Sequence, residues 1–153
     1  MHNIDNIDRR LLRLMQHDPT ASAADLASLV GLTKASCWRR IERLEANAIV
    51  TGRSIQIDPK ALGYEVEVSL RITLDKTFSN AFDDFIVEAR KILEVNEIQT
   101  FLGRVDVRLN VLARNMNHYQ EIYRTRILRL PHINDIESLM LVANVKSVES
   151  LPL

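Results

Sequence analysis

The stretch from Ser22 to Leu44 constrains the fold more than any other part of this sequence, because it carries start and stop signals for two short helices. Ser22 followed by Asp25 is a capping-box pattern, and Gly31 suits the left-handed position that ends a helix. Thr33 is then the N-cap candidate of the next helix. Apolar residues recur at helical spacing and predict two buried stripes, one of Leu26, Leu29 and Val30 and one of Cys37, Ile41 and Leu44. The pattern indicates a helix-turn-helix.

The second of these helices, predicted over about 34–46, carries a cationic face. At ~100° per residue, Ser36, Arg39, Arg40 and Arg43 fall opposite the apolar stripe, and Lys34 lies at the helix start. Arginine suits bidentate contact with guanine or phosphate. A cationic helix face is usually only solvated, but a tight turn directly before it favours insertion into the DNA major groove. The predicted DNA contacts are Thr33, Lys34, Ser36, Arg39, Arg40 and Arg43.

Within this set, Arg39 and Arg43 are the expected base readers, and phosphate contacts would set the register. Trp38 lies on the flank between the two faces and is interpreted as a packing residue. Cys37 is interpreted as a small buried hydrophobe and not as a reactive thiol.

Composition favours a cytoplasmic globular protein. A single cysteine argues against an intramolecular disulfide framework and for a reducing compartment. The charged start lacks the apolar region of a signal peptide, and no apolar run approaches the ~18–20 residues that cross a bilayer. Net charge is zero, with nine Lys/Arg against seven Asp/Glu in residues 1–60. DNA binding would therefore rest on a local patch and not on general coating of nucleic acid.

The chain divides into two predicted domains, residues 1–60 and 61–153. An amphipathic first helix spans Ile4 to Met15, and three helices in the first domain make a small bundle. Residues 49–57 are β-rich around Gly52, so they are predicted to form a wing or a linking strand. Asp58-Pro59 and Leu62-Gly63 mark the linker.

The second domain begins with a half-buried strand, since apolar and polar residues alternate from Tyr64 to Asp75. Helical and alternating segments then follow in the order β-α-β-β-α-β, which predicts a ferredoxin-like antiparallel sheet with helices on one face. The last strand is predicted over Ile136 to Val145, with Leu139 and Leu141 on one face and Met140 and Val142 on the other. The uncovered face is expected to be buried by another subunit. The fold class is α+β, with a winged-type helix-turn-helix bundle in front.

Five segments resemble the Lrp/AsnC (leucine-responsive, feast/famine) transcription regulators in the right order and over nearly the whole chain. They are IDNIDRRLLRLMQHD, ADLASLVGLTKASCWRRIERLE, IDPKALG, LGRVDVRLNVLA and VANVKSVESLPL. The third resembles the family's interdomain linker and the fourth its Gly-x-x-Asp hairpin. The resemblance implies a second domain that binds a small molecule and oligomerises, with dimers formed through the sheets and often assembled into octamers.

The resemblance also implies an effector site at the hairpin, comprising Leu102, Gly103, Arg104, Val105 and Asp106. A hairpin can offer backbone amides to a carboxylate, and Asp106 can pair with an α-ammonium group. The alternative for Asp106 is a turn-end residue that bonds its own backbone. Val105 and Val107 stand where the family commonly has aromatic residues, and a more aliphatic pocket wall could change the ligand or remove the response.

Two further departures concern the first domain. Ala48 stands where a glycine is usual after the recognition helix, with Asn47 as the candidate for the left-handed cap. Arg53 stands where an aromatic residue is usual in the linking strand and could contact phosphate.

The leading hypothesis is a DNA-binding transcriptional regulator responsive to an amino acid or a related small metabolite. Its expected partners are double-stranded DNA, the effector and further copies of the chain in a homodimer or octamer, and no membrane. One alternative is an architectural DNA-organising protein without an effector, which the Val105 and Val107 departures favour. Another is a decarboxylase of related fold, but the histidines are scattered and no Ser-His-Asp or Cys-His arrangement occurs. We therefore predict no catalytic site, no metal and no cofactor.

Overall fold

The computed structural model describes residues 3–146 and 150–153, and these residues form two compact units. Unit 1 contains the described residues up to Gln56 together with those from Lys146 onward, and unit 2 runs from Ile57 to Val145. The sequence prediction placed the boundary near residue 60 and the C-terminal residues with the second domain. None of the described helices is long and apolar enough to span a membrane.

Unit 1 contains three helices, α1 (Asn6–His17), α2 (Ala23–Val30) and α3 (Lys34–Ala46). The predicted caps are confirmed: Ser22 and Asp25 form a capping box, Gly31 ends α2 in the left-handed conformation, and Thr33 caps α3. The core of the unit is built from all three helices and contains Leu11, Met15, Leu26, Ala27, Cys37 and Ile41.

The predicted burial of Leu29 is wrong, since its side chain is 53% exposed. The buried face of α2 is centred between Leu26 and Ala27, so Leu29 lies on its outer flank.

The segment after α3 differs from the prediction in two ways. Asn47 keeps a negative φ of −86°, and Ala48 instead takes the left-handed conformation with φ of 53°. The predicted wing or linking strand is absent, because no residue from 49 to 57 belongs to a strand. A strand needs a neighbour to complete its ladder of hydrogen bonds, and no described strand pairs with this segment.

Unit 2 contains a four-stranded antiparallel sheet and two helices, in the predicted β-α-β-β-α-β order. The strands are β1 (Val66–Leu74), β2 (Val95–Thr100), β3 (Val107–Ala113) and β4 (Ile133–Met140). The helices are α4 (Ala81–Ala89) and α5 (Met116–Thr125). The spatial order is β2-β3-β1-β4, so the two central strands are β3 and β1.

The core of unit 2 lies between one face of this sheet and the two helices. Alternate residues of β1 and β3 pack there with Phe85 and Ala89 of α4 and with Tyr119 and Ile122 of α5. The alternating pattern of β1 is therefore confirmed, and the fold is α+β with a ferredoxin-like second unit.

Strand β4 ends earlier than predicted and faces the other way. It stops at Met140, and residues 141–145 form no strand. Met140 pairs with Val68 and Leu139 with Ser69, so Met140 lies on the helix side and Leu139 on the uncovered side. At the other end of the pair, a register irregularity between Thr73 and Leu74 places both Ile133 and Ile136 opposite core residues of β1, because a one-residue shift exchanges the two faces of a strand.

The uncovered sheet face carries charged side chains beside Leu139. Arg108 pairs with Glu97 across β3 and β2 at 2.9 Å, and Arg71 lies 3.6 Å from Glu137 across β1 and β4. This face therefore presents charge pairs to its surroundings.

The C-terminal residues described by the structure lie on α1. The Leu151 amide donates to Oε1 of Gln16 at 2.5 Å, and Nε of Arg13 donates to the Leu153 carbonyl at 2.9 Å. These bonds place the tail in unit 1.

Candidate functional site

Helix α3 is held in one orientation by its cap and by its buried stripe. The Thr33 hydroxyl accepts from the Ser36 amide at 3.2 Å, which satisfies one orphan donor of the first turn. Cys37, Ile41 and Leu44 are at most 3% exposed and fix the rotation of the helix. Burial raises the pKa of the Cys37 thiol, which agrees with its interpretation as a small hydrophobe.

The outward face of α3 begins with two cationic side chains. Lys34 and Arg39 are exposed, and among the described residues neither has a carboxylate partner. The Nε atom of Arg39 reaches only the Ala35 carbonyl, at 3.4 Å. The charges of these two residues are thus not neutralised by a carboxylate within the described part of the chain, and their predicted contact with DNA stays a prediction.

Arg40 and Arg43 have a different environment, which the sequence reasoning missed. Arg40 Nη1 donates to Asp5 at 2.6 Å and to Asp8 at 2.9 Å, and Arg43 Nη2 donates to Asp8 at 2.5 Å. Asp8 has no exposed side-chain surface, although its two arginine partners are 24% and 49% exposed. Both arginines therefore connect α3 to the start of α1.

The structure therefore separates Arg39 from Arg40 and Arg43, although the sequence had placed all three on the face opposite the apolar stripe and had selected Arg39 and Arg43 as base readers. Arg40 lies beside the core stripe and is half-buried, and Arg43 is held by the buried carboxylate of Asp8. The missing signal was the Asp5–Asp8 pair, since these capping-box residues of α1 also bind arginines more than 30 positions away, at separations of 32 and 35 residues.

The charges in this cluster stabilise one another. Hydrogen bonds from the Asp8 amide and from the Arg40 guanidinium lower the pKa of Asp5. The same carboxylates, Asp5 and then Asp8, raise the pKa of Arg40. The carboxylate of Asp5 and the guanidinium of Arg40 are therefore ionised together at neutral pH.

The residues from Leu102 to Asp106, predicted as an effector site, form the loop between β2 and β3. Leu102, Gly103 and Arg104 are exposed, Val105 is half-buried and Asp106 is buried. The Phe101 amide bonds the Asp106 carbonyl at 2.9 Å, and the Thr73 hydroxyl bonds the Arg104 carbonyl at 3.2 Å. Within the described chain, the amides from 102 to 105 make no hydrogen bond, so they can donate to an anionic group.

Asp106 joins this loop to β1 and the segment after it. Its Oδ2 accepts from the buried Leu74 amide at 2.9 Å, and its Oδ1 lies 3.0 Å from Nζ of Lys76. Burial acts to raise the pKa of Asp106, but the bonds from Leu74 and Lys76 outweigh it and the pKa is lowered. The Asp106 carboxylate thus already forms an ion pair with the ammonium group of Lys76. Its hydrogen bond from the Leu74 amide differs from the alternative considered above, in which a residue at the end of a turn bonds its own backbone.

Val107 does not line an open pocket. It is fully buried in the core of unit 2 on β3, so a valine there changes the packing under the loop and not the wall of a cavity. The argument that Val107 makes a more aliphatic pocket wall is therefore wrong.

A second polar region of unit 2 escaped the sequence reasoning. A cleft of about 640 Å³ is lined by Tyr64, Leu93, Glu94, Asn96, Leu112, Arg114, Asn115 and His118. Glu94 binds Arg126 at 2.6 Å, and Nδ1 of His118 accepts from the Arg114 amide at 3.2 Å. The described residues contain no group of three or more His, Cys, Asp or Glu side chains placed to hold a metal ion.

Two family models match the chain, one in its N-terminal part and one over the remainder. The AsnC-type helix-turn-helix domain matches residues 4–45. The Lrp/AsnC ligand binding domain matches residues 67–151.

Individual relatives match over almost the full length. The DNA-binding transcriptional activator DecR of Escherichia coli (strain K12) is 31% identical over 150 residues, covering 98% of this chain and 99% of DecR. The AsnC family transcriptional regulator from Agrobacterium tumefaciens is 30% identical with a TM-score of 0.86, covering 97% of this chain and 96% of that one. The feast or famine regulatory protein of M. tuberculosis, solved with L-methionine, is 26% identical with a TM-score of 0.84, covering 97% and 99%.

Proposed function

Because this chain belongs to the Lrp/AsnC family of transcriptional regulators, we propose that it binds specific double-stranded DNA sites and changes that binding when an amino acid is present. The observation that carries the proposal is the outward face of α3, where Lys34 and Arg39 are exposed directly after a capped turn. Helix-turn-helix proteins place the N-terminal residues of this helix against base edges in the major groove.

The DNA contacts divide by environment. Arg39 is the proposed base reader and Lys34 a phosphate or base contact, since both are exposed on the outward face. Thr33 and Ser36, at the first turn, would approach the phosphate backbone with the positive helix end. Arg40 and Arg43 are proposed mainly to position α3 through Asp5 and Asp8, with the exposed part of Arg43 near phosphate.

The effector is proposed to be an amino acid bound at the 102–106 loop. Its carboxylate would accept from the amides of this loop, and its ammonium group would take the place of Lys76 beside Asp106. The complex of the M. tuberculosis relative with L-methionine supports this ligand class. Leu102, Gly103, Arg104 and Val105 would supply the remaining contacts.

Binding of two successive major grooves requires two copies of α3, so we propose a homodimer as the minimal DNA-binding form, with larger assemblies such as an octamer built from it. The charge pairs of the uncovered sheet face would then lie in contact with a second subunit. Members of this family are transcriptional regulators, and we propose that this chain likewise acts in the cytoplasm without catalysis.

The DNA proposal is tested by selecting duplexes from a random library with the full protein and titrating them in a gel-shift assay. Arg39→Ala should weaken binding to the selected duplex by about 1–3 kcal/mol, roughly 5–150-fold. Arg129→Ala, which changes an exposed arginine of unit 2, is the control and should leave the affinity unchanged. Equal affinities for all three proteins would exclude Arg39 as a reader, and failure to enrich any sequence would exclude sequence-specific binding.

The effector proposal is tested by calorimetric titration with the twenty amino acids, starting with L-methionine. Asp106→Asn keeps an acceptor for the Leu74 amide but removes the charge that would hold an ammonium group, so binding should be lost while the fold is kept. Lys76→Met removes the competing ammonium and should tighten binding. Normal titration by the Asp106→Asn protein would contradict the placement of the effector.

A further inference from the structure

Trp38 is the single tryptophan of the chain and lies on the outward side of α3. Its side chain is 54% exposed, in the second turn of the helix and next to Arg39. It is absent from the core cluster of unit 1 and from the partly buried residues packed against it. The sequence interpretation of Trp38 as a packing residue is therefore wrong, and a large apolar ring faces outward where the family binds DNA.

The surroundings of Trp38 form a shallow apolar recess with a cationic rim. A cavity of about 470 Å³ is lined by Lys34, Ala35, Trp38 and Arg39. The indole and the Ala35 methyl group supply apolar surface together with the hydrocarbon stems of Lys34 and Arg39, whose charged groups lie at the ends of those stems. An anionic partner drawn to the two cations would bring its adjacent apolar groups against the indole.

In the major groove of DNA, the apolar group on the base edges is the C5-methyl of thymine. A recess between two cations that contact phosphate or guanine is suited to such a methyl group. We propose that Trp38 and Ala35 read a thymine methyl, with Lys34 and Arg39 holding the flanking DNA. This inference rests on the proposed DNA-binding function and adds to it a preference for thymine at a defined position.

The expected effect follows from the burial of one methyl group. Removing a methyl from an apolar contact loses about one methylene equivalent of transfer free energy, which corresponds to roughly a threefold to fivefold weaker affinity. Replacing thymidine by deoxyuridine removes the C5-methyl group and keeps the groups that form the base pair. The substitution therefore isolates the proposed contact.

The test uses the duplex selected by the wild-type protein, with each thymine replaced in turn by deoxyuridine. Wild-type protein should lose threefold to fivefold affinity at one thymine per half-site, next to the position that depends on Arg39. Trp38→Ala should bind the parent duplex more weakly and should be insensitive to that replacement. Trp38→Phe should restore part of the sensitivity, because it retains an apolar ring.

Leu29→Ala is the matched control, since Leu29 is an equally exposed apolar residue on α2. It should keep the full sensitivity to deoxyuridine, and thermal unfolding should show that all the variants are folded. The inference would be overturned if deoxyuridine lowered the affinity of the wild-type and Trp38→Ala proteins equally at every position. It would also be overturned if deoxyuridine at no position lowered the affinity of the wild-type protein. A binding loss in Trp38→Ala without methyl sensitivity would indicate a phosphate bond from the indole N–H instead. These results leave the DNA-binding proposal intact, whereas failure to select any duplex would overturn both proposals.

Discussion

The buried carboxylate of Asp8 should be a major source of stability in unit 1, and Asp8→Asn tests this. The substitution keeps the shape of the side chain but removes the charge that holds Arg40 at 2.9 Å and Arg43 at 2.5 Å. Hydrogen bonds to charged groups contribute about 1.5–3 kcal/mol each. Both arginines can rehydrate because they are partly exposed, and asparagine can still accept, so the expected loss is reduced to about 2 kcal/mol.

The assay is urea unfolding followed by the fluorescence of Trp38, the single tryptophan of the chain, which lies in unit 1 and reports on that unit. For a unit of this size, a loss of about 2 kcal/mol corresponds to a decrease in melting temperature of roughly 10 °C. The slope of the urea transition should stay unchanged, because the same surface is exposed on unfolding.

Asp25→Asn is the matched control. Asp25 occupies the same third position of its helix and forms the same capping box with Ser22, but its described contacts include no arginine. Asp25→Asn should lower the free energy of unfolding only by the contribution of the helix cap, about 0.5 kcal/mol. Equal losses for the two substitutions would refute the reasoning, since they would show that the ion pairs with Arg40 and Arg43 contribute nothing.

Three further outcomes follow from local features. Ala48→Gly should raise the free energy of unfolding by about 0.5–1 kcal/mol, because it removes the cost of a left-handed φ of 53° and is partly offset by a more flexible unfolded chain; an unchanged urea midpoint would contradict this. Tyr119→Phe should lower the free energy of unfolding of unit 2 by about 1 kcal/mol, because it removes the hydroxyl that bonds Ser138 at 3.2 Å. Thermal unfolding measures this loss, and Tyr123→Phe is the control. Folding lowers the pKa of Asp5, so its ionised carboxylate contributes fully to the free energy of unfolding above its unfolded pKa of 3.8, and this contribution is lost as the pH falls through the lower pKa of the folded state. The urea midpoint should therefore be lower at pH 3 than at pH 5, and the difference should be smaller in Asp5→Asn.

The sequence predicted the elements of the fold wherever a local signal decides the structure. Ser22, Gly31 and Thr33 act within a few residues of themselves, so the ends of α2 and α3 could be placed from spacing alone. The alternation of β1 was equally informative, because one face of that strand is buried along its whole length.

The sequence predictions were wrong where the structure of a segment depends on a strand that is distant in the sequence. Ile133, Ile136 and Leu139 are partly buried in β4, and only the register with β1 determines which of them faces the helices. Residues 49–57 have β-rich composition, but composition does not supply a neighbouring strand.

The candidate site shows the same division. Exposure of Lys34 and Arg39 followed from the helical period, whereas the pairing of Arg40 and Arg43 with Asp8 required knowledge of how α1 packs on α3. The loop ending at Asp106 could be found by resemblance, but its bond to the Leu74 amide and its ion pair with Lys76 depend on sheet register.

The path of the chain makes unit 2 an insertion between α3 and the tail segment that binds α1. Folding of unit 2 fixes the separation of its own two ends, and hence the local concentration of the tail near Arg13 and Gln16. If unit 2 unfolds, the same tail is tethered by a long flexible loop whose closure carries an additional entropic cost. The tail contact therefore links the stabilities of the two units through chain connectivity alone.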